Sequence, residues 1–174
     1  MQLAITVLGH NRNYFITEIL STIRDCKCSI VEIRFSRLEQ TDAAYLLIQG
    51  NWNQIAKFES VMEAVEKRLE IKIHMLRPER EHKEKDFLPY SLETLSIDRD
   101  NIIESVSAFL TVRGIEVEEI SGSSYQAPYI STSVFATKFI VLIPPEIRLL
   151  PLREEFLDFC DQLNIDAILE PIKR

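Results

Sequence analysis

The chain has 174 residues, of which 46% are hydrophobic and 27% charged, a balance typical of one large or two small folded domains. Its formal net charge of -7 argues against direct binding to nucleic acid, because contacts with the phosphate backbone depend on clustered cations. No run of eighteen apolar residues is present and the N-terminus lacks a signal-peptide pattern, so we expect a cytoplasmic protein with no membrane contact.

The first half of the chain predicts the order strand, helix, strand, strand, helix, strand. Alternation of apolar residues marks the strands, and apolar stripes at helical spacing mark the helices. Asn11 or Asn13 can cap the first helix, and a turn is predicted near Thr41 and Asp42. The predicted elements are a strand at 3–7, a helix at 15–23, strands at 32–36 and 44–49, a helix at 55–69 and a strand at 71–75.

The second half repeats this order. Between its second and third strands it has an additional segment, residues 121–132, which we predict to be a long loop. The predicted elements after its first strand are a helix at 102–110, a strand from 115, a strand at 139–143, a helix at 152–163 and a strand at 165–169.

Residues 78–89 carry mixed charges between two prolines, a composition typical of a solvated linker. We therefore predict two domains, residues 1–77 and 90–174, because two repeats are too few to stack as a solenoid. The element order predicts an α+β fold with two ferredoxin-like βαββαβ domains, each an antiparallel sheet with both helices on one face. Apolar residues on the other face predict a packing partner there, inside the chain or in a homodimer.

The sequence carries no recognisable catalytic or metal-binding motif. Its three histidines are scattered, and Cys26 and Cys28 are not at a zinc-binding spacing. With Cys160 the chain has three cysteines, and this odd number fits a reducing compartment. We therefore predict that the protein is not an enzyme and that it needs neither a metal nor a cofactor.

The loop after the first strand of each copy is the candidate ligand site. Backbone N–H groups at the start of the following helix are unpaired and can hold a carboxylate. Asn11 or Asp98 beside them can meet an ammonium group, so the loop suits a zwitterionic amino acid, although a plain helix cap is also open. The candidate ligand-binding residues are Gly9, Asn11, Arg12 and Asn13 in the first copy and Asp98, Arg99, Asp100 and Asn101 in the second.

Three aromatic residues outside these loops are also notable. Trp52 opens the second helix, where a lone tryptophan is more often a packing anchor than a stacking platform, so we predict a packing anchor. Tyr125 and Tyr129 flank a proline in the additional segment, where they form either a lid over a site or a partner-binding surface.

Each unit resembles an ACT domain, the βαββαβ regulatory module that commonly binds amino acids. As a tandem pair, the chain resembles the family of glycine cleavage system transcriptional repressors. The stretches that carry the resemblance are residues 5–9, 25–30, 50–57, 125–128 and, above all, 152–171.

The resemblance implies a regulator that responds to a small amino acid such as glycine. It also implies a protein partner, a DNA-binding transcription activator, rather than direct reading of DNA. Two other functions stay open from the residues. One is an amino-acid-binding allosteric module that regulates a separate enzyme, and the other is a purely structural dimerisation module.

The loops depart from the family pattern, Gly-x-Asp-Arg-Pro-Gly, to different degrees. The first loop has Asn11 in place of the aspartate and Tyr14 in place of the last glycine. The second loop keeps Asp98 and Arg99 and has Asn101, which tolerates positive φ, in place of that glycine. We therefore predict that any small-molecule site lies at the second loop.

Overall fold

The computed structural model describes residues 1–10, 14–78, 86–97, 101–126 and 132–172. The predicted α+β architecture is confirmed, because the order βαββαβ occurs twice. The chain divides into two compact units, Met1–His82 and Lys83–Arg174. The elements are β1 (Gln2–His10), α1 (Phe15–Asp25), β2 (Ser29–Leu38), β3 (Thr41–Gln49), α2 (Trp52–Leu69), β4 (Lys72–Leu76), β5 (Leu88–Ile97), α3 (Ile102–Val112), β6 (Glu116–Gln126), β7 (Ser133–Ile143), α4 (Leu149–Gln162) and β8 (Asp166–Pro171).

The first unit is a four-stranded antiparallel sheet in the order β2-β3-β1-β4. Alternate residues of β1 and β3 are buried, as expected for strands with one face on a core. That face meets the buried stripes of α1 and α2, so both helices cover the same side of the sheet. The largest fully buried side chains of this core are Phe15, Phe58, Leu3, Ile5, Ile19, Leu46, Ile48, Ile55, Met62 and Ile71.

Helix α2 begins with a complete capping box. The Gln54 backbone N–H donates to Asn51 Oδ1 at 2.9 Å, and the Asn51 N–H donates to Gln54 Oε1 at 2.7 Å. The prediction that Trp52 is a packing anchor is wrong, because 65% of this residue is exposed. The buried face of α2 consists of other residues, Ile55, Phe58, Met62 and Val65.

The second unit repeats the topology with the order β6-β7-β5-β8, again fully antiparallel. Its core lies between the sheet and the helices α3 and α4. Phe109 contacts both Phe156 and Phe159, with ring centroids 5.4 and 4.9 Å apart. Phe139, at the centre of β7, is completely buried in the same core.

The prediction of a long loop at residues 121–132 is wrong for its first half. Residues 121–126 belong to β6, and they pair with β7 from Ser121 opposite Lys138 to Gln126 opposite Ser133. β6 is an edge strand whose residues are all exposed, so it has no apolar face to give an alternating pattern. Tyr125 is at its end and Tyr129 lies outside the described residues.

Two other boundaries differ from the predictions. The turn between β2 and β3 is at Glu39 and Gln40, not at Thr41 and Asp42, which already pair with β1. β5 begins at Leu88, so the last two residues of the predicted linker lie in a strand. Among the described residues, no helix is long and apolar enough to cross a membrane.

Candidate functional site

In the first copy, a charged pair lies at the end of the sheet where β1 leads into α1. Gly9 of β1 is opposite Asp42 of β3, which is opposite Arg37 of β2. Asp42 is only 3% exposed and lies on the helix-covered face. Arg37 Nε donates to Asp42 Oδ1 at 2.8 Å and Nη2 donates to Oδ2 at 3.3 Å. This two-point contact compensates the buried carboxylate while the arginine stays more than half exposed.

Gly9 is required by the packing at this strand end. A Cβ at this position would lie 2.5 Å from Ile71 Cγ2 and 3.1 Å from Phe15 Cδ1. Both neighbours are almost completely buried, so neither has room to move. The space at this end of β1 is therefore already filled.

The equivalent strand end of the second copy is uncharged. Ser96 takes the place of Gly9 and pairs with Phe135, which is opposite Ser124. Ser96 is 6% exposed, and its hydroxyl has no hydrogen-bond partner in the part of the chain that the structure describes. An orphaned buried hydroxyl costs free energy and calls for an explanation.

The two copies also differ at the next core-facing pair of residues, two positions before Gly9 and Ser96 in the chain. Thr94 and Thr137 face each other and share a hydrogen bond of 2.6 Å between their hydroxyls. The equivalent pair in the first copy is apolar, Val7 opposite Ala44. Among the described residues, Thr94, Ser96 and Thr137 are thus buried hydroxyls on the helix-covered face of the second sheet, and of these three only Ser96 lacks a partner.

The helices that follow the two loops begin alike. The N-cap of α1 is Tyr14 with φ 44°, and that of α3 is Asn101 with φ 74°. Neither of these two side chains makes a capping hydrogen bond. Tyr14, and not the predicted Asn11 or Asn13, is at the N-cap position of α1, and the two asparagines lie outside the described residues.

Most of the predicted site residues lie outside the described residues. The structure places Gly9 at the end of β1 and Asn101 at the start of α3. Those outside the described ranges are Asn11, Arg12, Asn13, Asp98, Arg99 and Asp100.

Sequence reasoning missed Asp42 and Ser96 as neighbours of the loops. The signal for Ser96 was available, because Leu92, Thr94 and Ser96 alternate and must share one face of β5. The signal for Asp42 was weak, because an aspartate between two strands is typical of a turn.

A cavity of about 750 Å³ lies on the second sheet. It is formed by residues of all four strands, and Glu93 and Lys138 form an ion pair of 2.7 Å beside it. Lys138 lowers the pKa of the Glu93 carboxyl through this hydrogen bond, but both side chains are about half exposed. The cavity is open, and the two buried polar residues that line it, Thr94 and Thr137, are hydrogen-bonded to each other.

The described residues contain no cluster of side chains that could hold a metal ion. Cys26, Cys28 and Cys160 are all free thiols. Burial, with a smaller contribution from the Asp161 carboxylate, raises the pKa of Cys160 to about 11. Burial also raises the pKa of Cys28, which is only partly buried.

We expect Cys28 to be the first thiol to react with a thiol reagent in the native protein. At pH 8 the raised pKa keeps the Cys160 thiol almost entirely protonated, and its burial blocks access as well. Timed alkylation at pH 8, read by mass spectrometry, should show Cys160 reacting only on unfolding. Cys28→Ser should remove the fast phase, and loss of that phase in Cys160→Ser instead would contradict the assignment.

Comparison with known proteins agrees with this architecture. The family model described as ACT domain matches residues 1–76. Glycine cleavage system transcriptional repressors of Escherichia coli (strain K12) and Shigella flexneri are each 21% identical over 170 residues, which cover 98% of this chain and 90% of theirs.

Two crystal structures share the fold of the whole chain. One, of a protein described as a candidate glycine cleavage system transcriptional repressor, gives a TM-score of 0.76 at 21% identity, with 99% of this chain and 98% of that chain covered. The other, of an unknown protein from Galdieria sulphuraria, gives a TM-score of 0.74 at 18% identity and the same coverage.

Both of these relatives are named as transcriptional repressors. Residues 1–76 therefore match the ACT domain model, the second copy repeats the fold of the first, and the chain is similar to the glycine cleavage system transcriptional repressors over nearly its whole length.

Proposed function

We propose that the protein is a ligand-responsive regulator of transcription that binds a small amino acid and acts through a protein partner. The observation that carries this proposal is the similarity to glycine cleavage system transcriptional repressors along 98% of the chain. Glycine is the first candidate ligand, because those relatives are named for the glycine cleavage system. The proposed partner is a DNA-binding transcription activator.

The charge of the chain supports a partner-mediated mechanism. A net charge of -7 gives no electrostatic attraction to DNA. We expect the purified protein alone not to bind duplex DNA in a polarisation assay at low salt. Salt-sensitive binding at micromolar concentration would contradict this part of the proposal, and a basic DNA-binding protein of similar size serves as the positive control.

The proposed ligand site is the loop before α3, with Asp98, Arg99, Asp100 and Asn101. The N–H groups at the start of α3 suit the ligand carboxylate, and Asp98 suits its ammonium group. In the first copy, Asn11 carries no charge for that ammonium group. The first loop, with Gly9, Arg12 and Asn13, is the less favoured site.

A thermal-shift panel of the twenty amino acids tests ligand binding. A ligand at about 100 times its dissociation constant should stabilise the protein by roughly 2.7 kcal/mol, which is a readable rise in melting temperature. The matched variants Asp98→Ala and Asn11→Ala then test the site. Asp98→Ala should weaken binding at least about tenfold, since a hydrogen bond to a charged group contributes roughly 1.5–3 kcal/mol. Loss of binding in Asn11→Ala alone would place the site in the first loop.

A further inference from the structure

The face of each sheet that lies away from its helices carries exposed apolar side chains. In the first sheet this face, which we call the first open face, includes Leu8 of β1, Tyr45 of β3 and Leu76 of β4. These residues alternate with the buried residues of the same strands. The second open face, on the other sheet, includes Leu95 of β5 and Ile168 of β8. Exposed apolar residues on the free face of a sheet are typical of packing against another sheet.

The charged residues of the two open faces have opposite balances. Among the described residues of the first open face, the cations are Arg34 and Lys72, and the carboxylate is Glu32, which pairs with Arg34 at 3.1 Å. On the second open face Lys138 is outnumbered by the carboxylates Glu93, Glu116, Glu119, Asp166 and Glu170. The first open face is thus basic in a chain of net charge -7, and an acidic surface is its electrostatic complement.

The shapes of the two open faces also match. Tyr45 projects from a central strand of the first open face, and the Arg34 guanidinium lies over its ring, 5.8 Å from the ring centre. The second open face contains the cavity of about 750 Å³, and the side chains of this face that line it include Leu95, Ser123, Ala136, Ile168, Glu93 and Asp166. Tyrosine and arginine are the residue types that most often fill such pockets in protein interfaces, and the carboxylates of the cavity suit the arginine.

We propose that the protein forms a homodimer in which the first open face of each molecule packs against the second open face of the other. Tyr45 of one molecule then enters the cavity beside Leu95 of its partner copy. Two such contacts related by a two-fold axis close the dimer. Contact between two second open faces is unfavourable, because it would bring their carboxylates together. The inference does not depend on the proposed ligand-sensing function.

Sedimentation velocity of the full chain over a range of concentrations tests the proposal. We expect Tyr45→Glu and Leu95→Lys, one in each open face, to raise the dissociation constant of the dimer on the order of thirtyfold, as for loss of an interface hot spot. Trp52→Glu is the control, because Trp52 is also an exposed aromatic residue but lies at the start of α2, where a carboxylate suits the helix. This variant should dimerise as the wild type does.

An equimolar mixture of Tyr45→Glu and Leu95→Lys separates a lost contact from a lost fold. A mixed dimer has one unaltered contact and one in which the two introduced charges are opposite, so mixing should recover dimers. Misfolded chains cannot recover in this way. A monomeric wild type, an unweakened dimer in Tyr45→Glu or in Leu95→Lys, loss of the dimer in Trp52→Glu, or a mixture that stays monomeric would each overturn the inference.

Discussion

Replacement of Phe139 by alanine is expected to lower the free energy of unfolding by about 3–5 kcal/mol. Phe139 is at the centre of β7, is completely buried, and belongs to the core that the sheet forms with α3 and α4. Removal of its ring loses the transfer free energy of the buried atoms and leaves a cavity that the strands cannot close, because their hydrogen-bonded registers hold them apart.

Urea unfolding followed by circular dichroism measures the effect. Phe35→Ala is a suitable control, since Phe35 is on the edge strand β2 and is 43% exposed. Its loss should cost clearly less than the loss of Phe139. If the two variants lost the same free energy of unfolding, burial of Phe139 would not be the reason for its contribution to the stability of the protein.

The second large effect is expected for Gly9→Val, with a loss of about 3 kcal/mol or more from overpacking. The added Cβ would already lie 2.5 Å from Ile71 Cγ2, and valine adds two further methyl groups in a core with no free space. The chain must then shift at the end of β1, where it leads into the first loop.

Gly122→Val is the matched control in a strand of the second copy. Gly122 is on the exposed edge strand β6, and its nearest neighbour is the far end of the Phe135 ring at 3.1 Å. Since valine favours strands, we expect little change in the unfolding free energy there. Ile71→Ala should relieve part of the Gly9→Val effect, so the two substitutions should be less than additive. Strict additivity would show that the contact with Ile71 is not the cause.

The order of the elements could be predicted from the sequence because apolar residues recur at a regular spacing within each strand and helix. Alternate burial along β1 and β3 is what the apolar alternation predicts, and the stripe of α2 from Ile55 to Val65 is the buried face of that helix. The resemblance to ACT domains was readable for the same reason, since it depends on contiguous stretches such as residues 152–171.

The pairing of residues far apart in sequence was decided only in the tertiary structure. Residues 121–126 form a strand because β7 supplies their partners, although the residues themselves have no buried face. Trp52 is exposed because other residues of α2 fill the core. Asp42 belongs to a strand and not to a turn because it pairs with Gly9 of β1, and its buried carboxylate is compensated by Arg37 on the adjacent strand β2.

The difference between the two strand ends has the same origin. Alternation along β5 puts Ser96 on the core face, but whether its hydroxyl is satisfied depends on atoms that other elements bring to it. Hydrogen-bond partners and like-charge neighbours act over a few ångströms of space, between positions separated by tens of residues. The spacing of apolar residues within one element does not depend on the distances to other elements. It therefore predicts which face of a strand or helix is buried, but not which residues that face contacts.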